Sequence, residues 1–531
     1  EAEWGRNRMD NNQMKQYESI PKNMFEFVTD ADYLHDKKLE TKPVGYMRDA
    51  LRRFSKNKSS VAAAVIILIL ILFAIIGPFC CSKTYQQAYQ TDTVIVRYKE
   101  LLPKLSFMNG TGFWDGSQKK EISLGTYYIY QGMAQETGYN PIQKVIKEKT
   151  STDAFGKVST VYDVRLNSYY ACQTFTMTLT ADEYADIQRW QDEHNMQVIL
   201  PRVNEEKAQI YSAEKSVWYV CDKRGNPTFD MQGNFIPAYY TSGVDDYTSK
   251  VRLASDPGVN DNTVGNRYRY AQRTGKDGVY NYVVRIGAYN YFQYKYGFEP
   301  SFVFGTDSKG FDIFSRLAAG ARFSLLLALL VSVVNLTIGA IYGAIEGYYG
   351  GAIDMFMERI SDILANVPFM VVTVLFKLHL ASKVGIVGSL IYAFILTGWI
   401  GMASSVRMQF YRFKNQEYVL AARTLGASDM RIIWRHIFPN SIGTIITGSV
   451  LVIPGVIFSE TSLSYLGIIN LDSSTMSSVG SMLSAGQKVL TTAPHVVLFP
   501  ALFIALLMIS FNLFGNGLRD AFNPSLRGSE E

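Results

Sequence analysis

The chain has 531 residues, a formal net charge of +5 and 19% charged residues, a balance too mild for nucleic acid, and no dense basic run alternates with aromatics as a binding groove requires. Four cysteines without a CxxC and five scattered histidines without an HExxH point to no metal site. The length allows several domains at about 100 to 200 residues each, but charge is spread so unevenly that averages mislead.

Segment 1–60 ends in a basic cluster, Arg48, Arg52, Arg53, Lys56 and Lys58. Residues 61–79 then contain no ionisable group. A charge at the bilayer centre costs about 2.5–3.5 kcal/mol, and 19 residues at about 1.5 Å each span a hydrocarbon core of about 30 Å. Residues 61–80 are therefore read as a first transmembrane helix and a permanent anchor, and the basic cluster places the N-terminus in the cytoplasm.

Residues 81–303 are too long for a loop and long enough for their own core. By topology they are extracytoplasmic. Segment 172–180 alternates like a strand, and Thr180 with Glu183 forms a capping box that opens a helix. Segments 216–221 and 279–286 read as further strands, with KRGNP at 223–227 as a turn. The Tyr-rich stretch 280–298 is either a contact surface or strand-forming core. Cys172 and Cys221 either pair as a disulfide or sit free in strands, while Cys80 and Cys81 lie at the membrane edge.

Residues 304–523 hold four more charge-free intervals, 323–345, 384–406, 437–459 and 489–518, the last interrupted only by His495. A further interval, 363–380, carries Lys377 and His379 near its end, where long polar side chains reach the interface. The expected fold is an α-helical membrane protein with six transmembrane helices and an inserted α+β domain between the first and second. Segment 407–436 holds Arg407, Arg412, Lys414, Arg423, Arg431 and Arg435, and a six-span count with the N-terminus inside puts it and the tail 524–531 in the cytoplasm.

Within that basic segment, Glu417, Tyr418, Ala421, Ala422 and Leu425 lie near one another at helical spacing, and Gly426 ends the helix because it tolerates left-handed backbone angles. A second short helix opens after Ser428 or Asp429, and Pro439 lies just inside the next span. Adjacent alanines let another protein approach closely, and the surrounding arginines suit an acidic rim. The alternative is an interfacial helix whose arginines meet lipid phosphates.

The segment AARTLGASDMRIIWRHIFPN resembles the cytoplasmic EAA loop of ABC importer permeases, in its oligopeptide and dipeptide variant: Ala422, Gly426 and Pro439 hold the family spacing. It departs from the general consensus at Leu420, where a Glu stands, and at His436 and Phe438. FGTDSKGFDIFSRLAAGARFSL at 304–325, with Phe311 for the usual Arg, SETSLSYLG at 459–467 and the segment 52–78 are similar to the C-type subunit of the same permeases. The insertion lies outside the resemblance.

The resemblance implies a multi-pass subunit of a bacterial plasma membrane, paired with a second permease subunit and driven by two cytoplasmic ATP-binding subunits. An extracytoplasmic peptide-binding protein or lipoprotein feeds the pair. Glu417, Ala421, Ala422, Arg423, Gly426 and Asp429 are then the ATPase-coupling residues. No GxxxxGK[ST] occurs, since Gly156-Lys157 and Gly275-Lys276 are followed by Val158 and Asp277. No catalytic residue or cofactor is expected in this chain, ATP and Mg being held by the partners. Glu460, at the outer end of the fifth span near Pro454, is a candidate pathway contact for a peptide amino group, with a structural hydrogen bond as the alternative. The rival functions are a nickel or metal-chelate permease and a membrane-anchored receptor with no transport role.

Overall fold

The computed structural model describes residues 46–80, 95–152, 158–208, 216–240, 268–276, 279–472 and 477–522. Cys81, most of segment 1–60 and the tail 524–531 lie outside them. The chain forms two compact units, residues 1–53 and 54–531. In the first, the described residues begin helix α1 (Tyr46–Lys56), which an Asp49–Arg53 ion pair of 3.0 Å braces one turn apart. The second unit begins at the end of α1 and continues with α2 (Lys58–Cys80), an evenly apolar helix. It starts before residue 61 because the Asn57 side chain accepts the Ser60 N–H.

The inserted region folds as two antiparallel sheets with helices laid against them. β1 (Ser117–Ser123), α3 (Leu124–Thr137), β2 (Ile142–Thr152) and β3 (Val158–Asn167) build the first sheet, in the order β1-β3-β2. β4 (Thr174–Thr180), α4 (Ala181–His194), β5 (Ile199–Leu200), β6 (Ala271–Lys276), β7 (Val279–Gly287) and α5 (Ala288–Tyr296) build the second, in the order β4-β7-β5, with β6 also on β7. Thr180 and Glu183 form the reciprocal capping box at the start of α4. In the 223–227 turn, Asp222 accepts the N–H groups of Arg224 and Asn226 while Gly225 takes φ 87°. Asp230, Gly233 and Asn234 repeat that turn eight residues later.

One expectation for this region is corrected, and one open alternative takes its free form. Segment 216–221 forms no continuous strand: Tyr219 and Cys221 bridge singly to Pro237 and Pro227, and prolines supply no N–H to extend a ladder. Cys172 and Cys221 are free and belong to separate cores, Cys172 packing beside Tyr169 and Phe175 and Cys221 beside Trp218 and Phe235. Burial pushes the Cys172 thiol up to about 12, so it stays protonated. The tyrosines resolve toward core, since Tyr289 and Tyr291 are buried against Phe292 and Tyr98.

After the insertion come α6 (Ile313–Tyr349), α7 (Gly351–Ala365), α8 (Phe369–Gly398), α9 (Ile400–Phe413), α10 (Glu417–Thr424), α11 (Asp429–Arg431), a π-helical turn Ile432–Ile437, α12 (Phe438–Tyr465), α13 (Val479–Gln487) and α14 (His495–Phe522). Among the described residues, five helical stretches are long and apolar enough to cross a membrane: Lys58–Phe79, Ile313–Tyr349, Phe369–Phe413, Asp429–Tyr465 and His495–Phe522. The expected intervals 363–380 and 384–406 thus fall largely within one stretch, in which Gly385 alone departs from helical angles (φ 77°, ψ 166°). Residues 363–365 instead close α7.

α6 and α9 pack closely through glycines one turn apart. A Cβ at Gly339, Gly343 or Gly347 would lie within 2.7, 2.1 and 2.7 Å of Trp399 O, Ala403 O and Phe410 Cβ. This small-residue ladder lets two helical backbones meet where lipid supplies no hydrophobic drive. The insertion sits on the opposite end of α6. Glu100 N–H donates to Asp307 O (3.0 Å), Leu101 N–H to Thr306 Oγ1 (2.8 Å), and Phe304 stacks on Phe499 of α14 at 4.1 Å.

Candidate functional site

The basic segment forms a braced, outward-facing helix. α10 closes with a Schellman arrangement: Gly426 N–H donates to Arg423 O and Ala427 N–H to Ala422 O, each at 3.0 Å, with Gly426 at φ 80°. A Cβ at Gly426 would meet nothing within 4 Å, so the glycine serves the backbone angle and the open surface, not internal packing. Val419, Ile432 and Ile433 turn inward and pack on Ala340, Ala344 and Tyr348 of α6 and on Val406 and Phe410 of α9. Leu420, Leu425, Met430 and Trp434 face out, Leu425 being 87% exposed.

The six expected coupling residues divide between these faces. Glu417, Ala421 and Gly426 are exposed, whereas Ala422 is half-buried, so one alanine of the pair is on full display. Arg423 and Asp429 are exposed but held from below by one side chain that sequence reasoning missed, Tyr348. Its hydroxyl donates to Asp429 Oδ1 at 2.5 Å and accepts from Arg423 Nη2 at 3.5 Å. The second helix does not stop before Pro439: α11, the π turn and α12 run on as one helix. Pro439 lacks an N–H and its ring crowds the carbonyl of Arg435, and the wider π turn directly before it accommodates both.

Arg407 is not part of an exposed rim. It reaches from α9 into a carboxylate cluster on α6 and α7, binding Asp354 at 2.6 and 2.9 Å and Glu358 at 2.7 Å, with Glu346 at 3.6 Å. Tyr411 donates to Asp354 at 2.5 Å, and Lys414 Nζ caps the Gly347 carbonyl at 3.0 Å. The hydrogen bond from Arg407 holds the Asp354 carboxyl below its usual value. Asp354's share of stability is therefore present above its unfolded pKa of about 3.9 and lost as pH falls through the lower folded value.

Glu460 is 1% exposed and enclosed between helices. Its carboxylate accepts from Ser324 Oγ of α6 at 3.1 Å and from Ser464 Oγ at 3.0 Å, and Ser478, the cap of α13, bonds it as well. These bonds fit the structural alternative for Glu460. Helix α13 escaped sequence analysis because its small residues have no marked apolar period; it packs so closely that a Cβ at Gly480 would lie 2.6 Å from Thr461 Cα. Between α6, α8 and α12 lies an open cavity of 370 Å³ whose wall includes Asn335, Phe369, Phe394, Thr397, Val452 and Ser459. Its described lining carries no ionisable side chain.

The family described as binding-protein-dependent transport system inner membrane component matches residues 335–528, and the N-terminal TM domain of oligopeptide transport permease C matches residues 45–103. The oligopeptide transport system permease protein OppC of Bacillus subtilis is 45% identical over 224 residues, 42% of this chain and 72% of that protein. The dipeptide transport system permease protein DppC of the same organism is 41% identical over 225 residues, 42% of this chain and 69% of that protein. OppC of Escherichia coli K12 is 35% identical over 229 residues, 43% and 74%. The match over 335–528 takes in the loop built around α10, while the match over 45–103 takes in α1 and α2 and runs on into the start of the inserted region, beyond the extent of the sequence resemblance. The chain belongs to the oligopeptide and dipeptide permease family of ABC importers.

Proposed function

We propose that this chain forms half of the translocation pathway for oligopeptides or dipeptides in an ATP-driven importer, paired with a second permease subunit. Two ATP-binding subunits dock on the loop 407–436 and supply ATP and Mg, and an extracytoplasmic peptide-binding protein delivers the cargo. The observation that carries this reading is the Schellman-closed helix α10, which presents Leu425 and Gly426 outward while Tyr348 anchors Arg423 and Asp429 to the end of a membrane helix. Closure of the ATP-binding pair moves α10 as a lever, and α6 and α9, locked to it, carry the motion across the membrane.

Topology follows the same reading. Phe369–Phe413 has 45 residues, about 67 Å if straight, more than twice a hydrocarbon core of about 30 Å. It therefore crosses twice, turning at Gly385, which gives six spans. α6 separates the loop from the insertion by about 54 Å, so 81–303 lies on the extracytoplasmic side as a cap over the pathway or a platform for the binding protein.

The reading is tested by uptake of a labelled tripeptide in cells with and without the gene for this chain, where loss of uptake in its absence is expected and equal uptake contradicts it. Glu460→Gln, which keeps the hydrogen bonds to serine, is expected to leave the KM for peptide unchanged. Glu460→Leu strands the hydroxyls of Ser324 and Ser464 and is expected to cost about 1–3 kcal/mol, seen as a lower melting temperature of the complex in detergent. A changed KM in the Gln variant would return Glu460 to the pathway.

A further inference from the structure

At the end of α6 nearest the insertion, the loop before that helix, the end of α12 and helix α13 enclose an open pocket of 380 Å³. That volume lies within the range of about 300–1,000 Å³ typical of small-molecule sites. Its wall includes the buried Ser464 and Ser481, and the ionisable members of its described lining are Lys309, Asp472 and Lys488. Lys309, half-exposed, donates to Asp472 at 2.6 Å. The buried Arg316, outside the lining, binds the same carboxylate and lies 3.8 Å from Asp307. Asp472 is thus held by two cations, whereas Lys488, exposed at the C-cap of α13, has no ion-pair partner among the described residues. Asn470 Oδ1 accepts the Asp472 N–H at 2.9 Å, which leaves its Nδ2 as a further donor. Lys377 of α8 steadies the same stretch by donating to the Ile468 carbonyl at 2.5 Å.

We propose that this pocket receives the terminal carboxylate of a peptide released at the extracytoplasmic face, with Lys488 as its cationic partner. This deepens the peptide reading and its topology, and rests on both. Access is direct: both lysines are open to solvent, so a ligand reaches them without movement of the helices. The charge balance selects an anion. Two lysines line the pocket against one aspartate that is already paired, so a terminal ammonium is repelled and a carboxylate gains a charge-assisted hydrogen bond. Asn470 Nδ2 and the hydroxyl of Ser484 are donors for its second oxygen. A lipid phosphate would bring acyl chains that need an apolar face, and Ile469 is the one large apolar side chain of the described lining. Every linear peptide carries one terminal carboxylate whatever its side chains, so a site for that group retains the cargo without reading its sequence.

The test uses the complete importer, with its ATP-binding chains and binding protein, in proteoliposomes. The probes are trialanine and trialanine amide, each supplied at a concentration that saturates the binding protein. Wild type is expected to take up trialanine about twofold to fivefold faster than the amide, the range for a solvent-exposed ion pair. Lys488→Gln is expected to lower the trialanine rate to that of the amide, and Lys488→Arg to keep the preference. Because all three importers use one binding protein, any effect of amidation on capture cancels in the comparison. The same ratio of rates in Lys488→Gln and wild type overturns the site while leaving the peptide reading standing; an equal fall of both rates would assign Lys488 to contact with the binding protein or a lipid phosphate instead. Equal wild-type rates for the two probes overturn the site as well. A wild-type importer that moves neither probe overturns the peptide reading and this inference with it. Should Lys488→Gln fail to assemble, Lys488→Met carries the same comparison.

Discussion

Gly426→Asp is expected to abolish uptake while the chain still reaches the membrane at wild-type level. At φ 80° an Asp is strained but tolerated, far better than a β-branched residue, and nothing stands within 4 Å of its Cβ. The Schellman hydrogen bonds of Gly426 and Ala427 are made by backbone groups and survive. What changes is the surface: a carboxylate stands beside Leu425 where a partner must press closely. Burying an unpaired charge in an interface costs about 2–5 kcal/mol, enough to weaken docking at least about thirtyfold. The check is peptide uptake per copy of membrane-inserted protein, together with the ATP-binding chains retained on purification. Normal uptake by this variant would remove α10 from the coupling site.

Arg407→Ala is expected to lower both the amount of folded protein and the uptake of what remains. The guanidinium, 20% exposed, is the cation that binds Asp354 and Glu358 and lies beside Glu346. Lys414, the other nearby cation, is engaged with the Gly347 carbonyl. Removing Arg407 leaves Asp354 and Glu346 facing each other, the situation in which breaking a buried pair costs about 3–5 kcal/mol, with partial exposure favouring the lower figure. Because α9 is pressed on the Gly339, Gly343 and Gly347 ladder and leads into α10, the loss also loosens the seat of the docking helix. Arg407→Lys restores charge without the two-pronged geometry and is expected to fall between. Wild-type membrane levels and uptake in the Ala variant would show that the cluster is peripheral.

The parts of the fold legible in the sequence are those written in local rules. The first span shows as uninterrupted apolar residues, the start of α4 as Thr180 and Glu183 three apart, and the end of α10 as a glycine four residues beyond Ala422. The parts missed depend on direction and on distant neighbours. Gly339, Gly343, Gly347 and Asn335 lie inside a span that is apolar almost throughout, where periodicity does not separate a lipid-facing side from a helix-facing one. Tyr348, some 80 residues before Asp429, has no local mark of its role. Glu460 drew attention by its charge, but charge alone does not tell whether a carboxylate points into an open passage or at Ser324. The free state of Cys172 and Cys221 depends on which core each joins, a tertiary outcome beyond any spacing rule.

The most direct measurement is mass spectrometry of the chains that co-purify with this protein from its own membranes in mild detergent, with crosslinking before extraction. A second multi-span permease chain and ATP-binding chains are expected, with crosslinks from the latter concentrated on residues 417–431. Recovery of the protein alone after crosslinking, or ATP-binding chains attached anywhere other than this loop, would contradict it.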